Sequence, residues 1–163
     1  MAQDIKLSQP ASTKKTGCGW AYSDIVKDHF LNPRNFVRDE KDVKGADGVG
    51  MMGSPACGDV MKMWIKVKDG KIAECKWQTF GCASAIASTS MLSVMATGMK
   101  IEDALKITPK QIAERLGGLP AIKLHCSVLG DQALKAAIED YRKTRNTKSI
   151  PCAKTKVLSE VVK

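Results

Sequence analysis

Three cysteines of this chain stand in sequence contexts that suit a metal ligand. Cys57 lies in Gly-Ser-Pro-Ala-Cys-Gly-Asp, Cys82 in Phe-Gly-Cys-Ala-Ser and Cys126 in Leu-His-Cys-Ser-Val. Each is in or beside a turn signal or the predicted end of a helix or strand, where its side chain can point into a shared pocket. With Asp59 and His125 close by, they would form an incomplete site for a soft metal. A permanent iron–sulfur protein normally supplies four thiolates, and a structural zinc site normally uses paired Cys-x-x-Cys ligands.

Two of these thiols, Cys82 and Cys126, come at the predicted start of a helix. The positive end of the helix dipole and the free amides there favour the thiolate. A thiolate is both a metal ligand and the reactive form of a sulfur nucleophile. The alternative is that the three cysteines are small buried hydrophobic residues, as free cysteines often are. Their placement at element ends, two beside glycines and one beside a histidine, favours the metal site.

The other cysteines and the second histidine are predicted to be structural or peripheral. Cys75 lies in the middle of a predicted strand and is expected to pack in the core. His29 lies in the first predicted helix and is expected to be a core or capped histidine. Cys18 and Cys152 fall in the polar ends of the chain. None of these four residues is predicted to be a ligand.

The composition fits one ordinary domain, because 44% of the 163 residues are hydrophobic, enough to bury a core. The formal net charge of +9 raises the question of nucleic-acid binding. However, the basic residues are spread along the chain, aromatic residues make up only 5%, and the sequence shows no helix-turn-helix, RNA-recognition or zinc-finger pattern. We therefore expect no nucleic-acid partner, and either an acidic protein partner or simple solubility explains the charge more simply.

The N-terminal residues lack the apolar run of a secretory signal peptide, and no stretch approaches the roughly 20 apolar residues that a membrane span requires. We therefore expect a cytoplasmic protein with no membrane partner. Thiols stay reduced in the cytoplasm, so the six cysteines are better explained as metal or redox ligands than as disulfides.

The order of helix and strand patterns predicts an α+β fold, with a small three-stranded antiparallel sheet and helices packed on one face. Apolar residues at every second position over 61–67 predict a strand with one wet face, and Asp69-Gly70 predicts a tight turn after it. On the next strand, Ala73, Cys75, Trp77 and Thr79 are predicted to share a face. The predicted elements are a helix over 22–31, strands over 49–52, 60–67 and 72–80, a buried helix between Gly81 and Gly98 that includes Val94, and helices over 101–106, 109–116 and 126–143.

Changes in polarity divide the chain into three parts: an N-terminal arm expected to be flexible (residues 1–20), a folded domain (21–144) and a polar C-terminal tail (145–163). Trp64 falls among the lysines of the wet strand face. We expect it to be exposed or to serve as a packing site for the N-terminal segment.

Four blocks of the chain, taken in order, carry a family pattern: Tyr22-Ser-Asp-Ile-Val-Lys-Asp-His-Phe-Leu-Asn-Pro-Arg-Asn35, Gly53-Ser-Pro-Ala-Cys-Gly-Asp-Val-Met-Lys62, Phe80-Gly-Cys-Ala-Ser-Ala-Ile-Ala-Ser88 and Leu119-Pro-Ala-Ile-Lys-Leu-His-Cys-Ser-Val128. They resemble the IscU/NifU-type iron–sulfur cluster assembly scaffold over about residues 22–142. The resemblance implies a scaffold, not an enzyme, that builds a transient 2Fe–2S cluster on Cys57, Cys82 and Cys126. Asp59 and His125 are implied as neighbours that complete or modulate this ligand set, and which of them is the fourth ligand stays open.

The resemblance also implies where the cluster comes from and where it goes. A pyridoxal-phosphate cysteine desulfurase would supply sulfur as persulfide, and the finished cluster would pass to apo iron–sulfur proteins. Cys126 is the expected sulfur acceptor, because it follows His125 at a predicted helix start. Zinc also accepts three thiolates with one Asp or His, so zinc would fit the same site. The alternative function is a zinc-stabilised persulfide carrier that receives sulfur on Cys126, and a homodimer is left open.

One segment, Leu119-Pro120-Ala121-Ile122-Lys123, departs from the family pattern. The stretch read by the family's DnaK-type chaperone usually runs Leu-Pro-Pro-Val-Lys, and Ala121 here replaces its second proline. Proline restrains its own backbone and that of the preceding residue. We therefore expect a chaperone to bind residues 119–123, but weakly.

Overall fold

The computed structural model describes residues 22–54, 58–119 and 124–148. Its elements, in chain order, are α1 (Asp24–Leu31), β1 (Gly48–Ser54), β2 (Asp59–Lys68), β3 (Lys71–Phe80), α2 (Ala83–Ala96), α3 (Ile101–Ala104), α4 (Pro109–Arg115) and α5 (Leu124–Lys148). A short 3-10 helix, Glu40–Val43, lies between α1 and β1. The strands form one antiparallel sheet in the order β1-β2-β3, so the predicted α+β class is confirmed. In these three ranges no helix has the length and apolar composition needed to cross a lipid bilayer.

The main core lies between one face of the sheet and helices α2 and α5. On that face Met63 pairs with Trp77 and Ile65 with Cys75, and all four side chains are buried. Helix α5 contacts β1 and β2, and α2 contacts β3, while α1 packs on α2 and α4 packs on α5. The alternation predicted for β2 is confirmed, and it determines which face the helices cover.

Helix α5 packs directly on the backbone of β1 because two glycines leave no side chain between them. A Cβ on Gly48 would lie 2.2 Å from the carbonyl oxygen of Ala137, and one on Gly50 would lie 2.1 Å from the carbonyl oxygen of Ala133. Successive residues of β1 therefore meet successively earlier turns of α5. The start of α5 consequently lies towards the Ser54 end of β1.

The opposite face of the sheet is partly covered by the segment between α1 and β1. Trp64 is only 6% exposed and packs with Val37 and Val43. The Nζ atom of Lys62 lies 5.0 Å from the centroid of the Trp64 ring, within the range of a cation–π contact. Of the two expectations for Trp64, exposure was wrong, because the residues that precede β1 fold back over the indole. A contact with the predicted N-terminal arm lies outside the described residues.

The two outer strands of the sheet have partners along their free edges. Beside β3, the Val37 N–H donates to the Trp77 carbonyl at 2.8 Å, and the Trp77 N–H donates to the Asn35 carbonyl at 3.2 Å. Beside β1, the Val49 N–H donates to Oδ2 of Asp140 in α5 at 3.0 Å. Neither edge is therefore an uninterrupted row of unpaired backbone groups.

Strand β3 departs from the predicted alternation at one residue. Ala73, predicted to share a face with Cys75, is exposed, whereas Ile72 is fully buried. Glu74 and Ile72 pair with consecutive residues of β2, so Ala73 is an extra residue in the ladder. This β-bulge shifts the faces of the strand by one position.

The starts of α1 and α4 carry capping residues, whereas α5 is longer than its sequence pattern predicts. Ser23 caps α1 by accepting the Val26 N–H, and Thr108 forms a capping box with Gln111 at the start of α4. Helix α5 begins two residues earlier and ends five residues later than predicted. Val94, predicted to be buried in α2, is 46% exposed.

Candidate metal centre

Several elements end or begin at the same end of the sheet. Strand β1 ends at Ser54, whose partner is Asp59, the first residue of β2. Strand β3 ends at Phe80, opposite Val60, and α2 begins just after Cys82. The ladder therefore places Asp59 and Cys82 at one end of the sheet, although 23 positions separate them in the sequence.

Helix α5 points its first turn towards this end, as its contacts with β1 require. Its backbone begins at Leu124, so Cys126 is the third residue of the helix. The side chains of His125 and Cys126 lie outside the described part of the structure, as does Cys57, in the connection between Ser54 and Gly58. Of the five predicted ligands, the structure thus describes the side chains of Asp59 and Cys82.

Asp59 is buried with an oxygen that no described residue satisfies. The residue is 6% exposed, and Oδ2 of its carboxylate has no hydrogen-bond partner among the residues that the structure describes. A buried polar oxygen without a partner is costly, and a bound ion is one of the ordinary explanations for it. The carboxyl carbon lies 3.2 Å from the position that a Cβ would take on Gly81. The carboxylate therefore sits beside the backbone that leads directly to Cys82, which fits a metal ligand.

Cys82 occupies the N-cap position of α2, as predicted. Its carbonyl accepts the Ile86 N–H, while its side chain makes no capping hydrogen bond and is half-buried. The thiol therefore lies where the helix dipole favours negative charge. In this position Cys82 can serve as a thiolate ligand that an incoming group can still reach.

The first turn of α2 is held in place by a residue that the sequence did not single out. The hydroxyl groups of Tyr22 and Ser84 lie 2.8 Å apart, and Ser88 donates to the Ser84 carbonyl at 2.6 Å. Tyr22 thus ties the start of α1 to the turn that follows Cys82. A tyrosine at the first position of a predicted helix carries no sequence signal for such a contact, since its partner lies 62 positions away.

Two residues predicted to be structural are confirmed as such. Cys75 is 1% exposed, and burial raises the pKa of its thiol to about 12, so it stays protonated near neutral pH. His29 is buried with its Nδ1 atom 2.8 Å from Oγ of Ser90. Burial lowers the pKa of His29 below its ordinary value, as expected for a neutral core histidine. Cys18 and Cys152 lie outside the described residues.

Within residues 22–54, 58–119 and 124–148, no three His, Cys, Asp or Glu side chains come together as a metal site. This finding does not include the thiols of Cys57 and Cys126 or the imidazole of His125. Asp59 and Cys82 are accordingly the two of the five predicted ligands whose side chains the structure describes.

The predicted chaperone-binding segment is described only at its first residue. Leu119 is half-buried and packs against the core. It follows Gly117 and Gly118, whose φ angles of 76° and 98° suit glycine and end α4 with a sharp turn. Residues 120–123 lie outside the described part.

Comparison with known proteins gives close relatives over most of the chain. The iron–sulfur cluster assembly scaffold protein IscU 1 of Archaeoglobus fulgidus is 57% identical over 120 residues, which are 74% of this chain and 76% of that protein. The iron–sulfur cluster assembly scaffold protein IscU of Rickettsia prowazekii is 49% identical over 129 residues, covering 78% of this chain and 97% of that protein. The resemblance seen in the four sequence blocks is thereby confirmed.

The fold has counterparts among solved structures as well. The N-terminal part of a nitrogen-fixing NifU-like protein from Brucella abortus superposes with a TM-score of 0.52 at 14% identity, covering 76% of this chain and 94% of that one. At that identity the likeness supports the fold alone. The family model for the NifU-like N-terminal domain matches residues 21–148. This chain belongs to the NifU-like N-terminal domain family.

Proposed function

We propose that this protein is a scaffold on which an iron–sulfur cluster is assembled and from which it passes to apo-proteins. The observation that carries the proposal is the buried carboxylate oxygen of Asp59 beside Cys82, which no residue in the described part of the chain satisfies, in a chain whose relatives are named as cluster assembly scaffolds. Thiolates are the preferred ligands of iron–sulfur clusters, whereas carboxylates suit harder ions. A mixed set should hold a cluster less tightly than four thiolates, which suits a protein that must release its cargo.

The ligand set is proposed to be Cys57, Cys82 and Cys126, with Asp59 or His125 as the fourth ligand of a 2Fe–2S cluster. The same donors would accept zinc in a tetrahedral site. A zinc-stabilised persulfide carrier, the alternative that the sequence left open, is not favoured by relatives that are named as scaffolds.

The surface beside the site supports a role in protein contact. Phe80, two residues before Cys82, is 79% exposed, and its ladder partner Val60 is 38% exposed. Met51, on the same face of the sheet, is 64% exposed. Exposed apolar side chains grouped beside a functional site often mark an interaction surface. We propose that the cysteine desulfurase and the apo-protein acceptors dock here, and the net charge of +9 favours acidic partners.

Anaerobic incubation with ferrous iron, cysteine, a cysteine desulfurase and an electron donor tests the scaffold function. The donor supplies the two electrons that reduction of two persulfide sulfurs to sulfide requires beyond those from the two ferrous ions. We expect protein-bound 2Fe–2S absorption, equal amounts of iron and sulfide, and loss of both from the scaffold when an apo-ferredoxin is added. Persulfide on the protein without uptake of iron would favour the carrier instead. A protein that takes up neither iron nor sulfur would contradict both functions.

Cys126 is predicted to be the main persulfide acceptor. It lies in the first turn of α5, next to His125, where the helix dipole favours a thiolate. Mass spectrometry after incubation with desulfurase and cysteine, without iron, should locate most of the added sulfur on the peptide that contains Cys126. The variant Cys126→Ser should lose most of the label, whereas persulfide mainly on Cys57 or Cys82 would contradict the assignment.

Replacing Asp59 by alanine is predicted to lengthen the lifetime of the cluster. The carboxylate is proposed to be the exchangeable ligand, or to help water and acceptor thiols reach the iron, and its removal leaves a more apolar pocket. Changes of this kind around metal sites commonly alter affinity or rate about 10- to 100-fold. The measurement is the rate of cluster transfer to an apo-ferredoxin. Asp59→Asn, which keeps one carbonyl oxygen, should transfer the cluster at a rate between those of the unaltered protein and the alanine variant. Faster transfer from the alanine variant than from the unaltered protein would contradict the proposal.

Two further proposals concern a chaperone partner and the cellular compartment. A DnaK-type chaperone is proposed to bind residues 119–123 weakly, because Ala121 lacks the ring that restrains an extended backbone. The protein is proposed to act in the cytoplasm, because assembly needs its thiols reduced.

A further inference from the structure

Gly81, between the exposed Phe80 and the ligand Cys82, is surrounded on three sides. A Cβ at this position would lie 3.1 Å from Cβ of Ala85, 3.2 Å from Cγ of Asp59 and 3.3 Å from Oγ1 of Thr79. All three distances are shorter than ordinary contacts between carbon and a heavy atom. A methyl group would therefore have to displace at least one of these neighbours.

The backbone itself does not require a glycine here. Gly81 is not among the glycines with positive φ, in contrast to Gly58 and Gly98 on either side of it in the sequence. An alanine could adopt this conformation without backbone strain. The reason for glycine at this position must therefore lie in the space around it.

Of the three neighbours, the side chain of Asp59 is the one that can move. Ala85 is completely buried in α2, and its Cβ cannot shift unless the helix does. Oγ1 of Thr79 donates to the carbonyl of Val60 at 2.7 Å, which fixes its rotamer. The Asp59 side chain has two rotatable bonds, and none of the described residues forms a hydrogen bond with its Oδ2. A methyl group on residue 81 would displace the carboxylate first.

We propose that Gly81 is a positioning residue of the metal site: its missing side chain lets the Asp59 carboxylate lie against the backbone that precedes Cys82. The carboxylate and the thiolate can then face the same metal ion. Without this space the carboxylate would turn away, although every ligand would still be present in the chain. The inference rests on the proposed function in taking Asp59 and Cys82 as ligands of one metal.

Cobalt(II) binding tests this inference separately from cluster assembly, because thiolate-bound cobalt has charge-transfer bands and its ligand-field bands report the other donors. We would titrate the full chain and the variants Gly81→Ala, Asp59→Ala and their double substitution. Gly53→Ala is the matched control. Gly53 lies in β1 near the same end of the sheet, and the nearest atom to its Cβ would be the Asp59 carbonyl oxygen at 3.9 Å.

The expected result is non-additive. Gly81→Ala and Asp59→Ala should each weaken cobalt binding, by about tenfold for a misplaced or missing donor, and should shift the ligand-field bands alike while keeping the thiolate bands. The double variant should bind as Asp59→Ala does, because Gly81 acts through the carboxylate. Gly53→Ala should bind as the unaltered protein does.

Additive weakening in the double variant, or loss of the thiolate bands in Gly81→Ala, would overturn the inference, since Gly81 would then act on the fold or on Cys82. If Gly81→Ala does not fold, the double variant is still expected to fold, because alanine at position 59 leaves room for the methyl group. An unfolded double variant would also overturn the inference. Normal cobalt behaviour without cluster assembly would overturn the scaffold function and leave this inference standing. An unaltered protein that binds no cobalt through thiolates would overturn both.

Discussion

Replacing Cys82 by serine is expected to abolish stable cluster assembly, and so is replacing Cys57 or Cys126. The serine hydroxyl stays protonated near neutral pH and is a poor ligand for iron, so each variant would have two thiolates left for two iron ions. After anaerobic reconstitution and desalting, we expect each variant to retain less than about one tenth of the iron and sulfide bound by the unaltered protein.

Cys75→Ala provides the matched control for these variants. Cys75 is buried among the side chains between the sheet and the helices, and its raised pKa of about 12 keeps the thiol protonated. The alanine variant should assemble the cluster normally while losing about 1 kcal/mol of stability through the deleted sulfur atom. Cys152→Ser should also leave assembly intact. Loss of the cluster in the Cys75 variant with retention in the Cys82 variant would show that the ligand assignment is wrong.

Replacing Gly50 by alanine is expected to destabilise the whole domain. The added methyl group would lie 2.1 Å from the carbonyl oxygen of Ala133 and 2.5 Å from the amide nitrogen of Ala137. Both are backbone atoms, so α5 would have to move away from β1 as a unit. Overpacking of this kind costs about 3 kcal/mol, which in a chain of this size lowers the unfolding temperature by about 6–12 °C. Thermal unfolding followed by circular dichroism measures the effect.

Gly53→Ala, in the same strand, is the control for Gly50→Ala. It shows whether a loss of stability comes from close packing against α5 or from any new side chain in β1. The nearest atom to its Cβ would lie 3.9 Å away, so we expect a change within about 0.5 kcal/mol of the unaltered protein. An equal loss of stability in both variants would mean that β1 tolerates no side chain for another reason. An unchanged unfolding temperature for Gly50→Ala would contradict the close approach of α5.

Much of the architecture could be predicted because strong local signals agree with it. The alternation over 61–67 and the turn at Asp69-Gly70 predict the hairpin, and the capping residues Ser23 and Thr108 mark two helix starts. The bulge at Ala73 could not be predicted, because an extra residue in one strand is visible only in the pairing with its neighbour. The cover over Trp64 depends on contacts with Val37, far away in the sequence.

The candidate site also has one part that nearby residues predict and one part that depends on contacts between distant residues. The placement of Cys82 at a helix start follows from the glycine before it and the helical pattern after it. The closeness of Asp59 to Gly81 depends on the register of β2 against β3 and on the path of the chain after Phe80. No pattern within a short window reports such a distance, so the role of Gly81 could be found only in three dimensions.

The hydrogen bonds along the outer strands have a consequence for how partners can recognise this protein. An open strand edge invites another chain to add a strand, which gives affinity through the backbone and risks uncontrolled polymerisation. Here the backbone groups of Asn35 and Val37 form hydrogen bonds with Trp77 at one edge. At the other edge the carboxylate of Asp140 accepts a hydrogen bond from the Val49 N–H. At these positions a partner protein cannot pair with the strand backbone. It can instead contact side chains on the face of the sheet that carries Phe80 and Met51. Selectivity among donors and acceptors would then depend on shape and charge, and such surfaces can be retuned by single substitutions without altering the sheet.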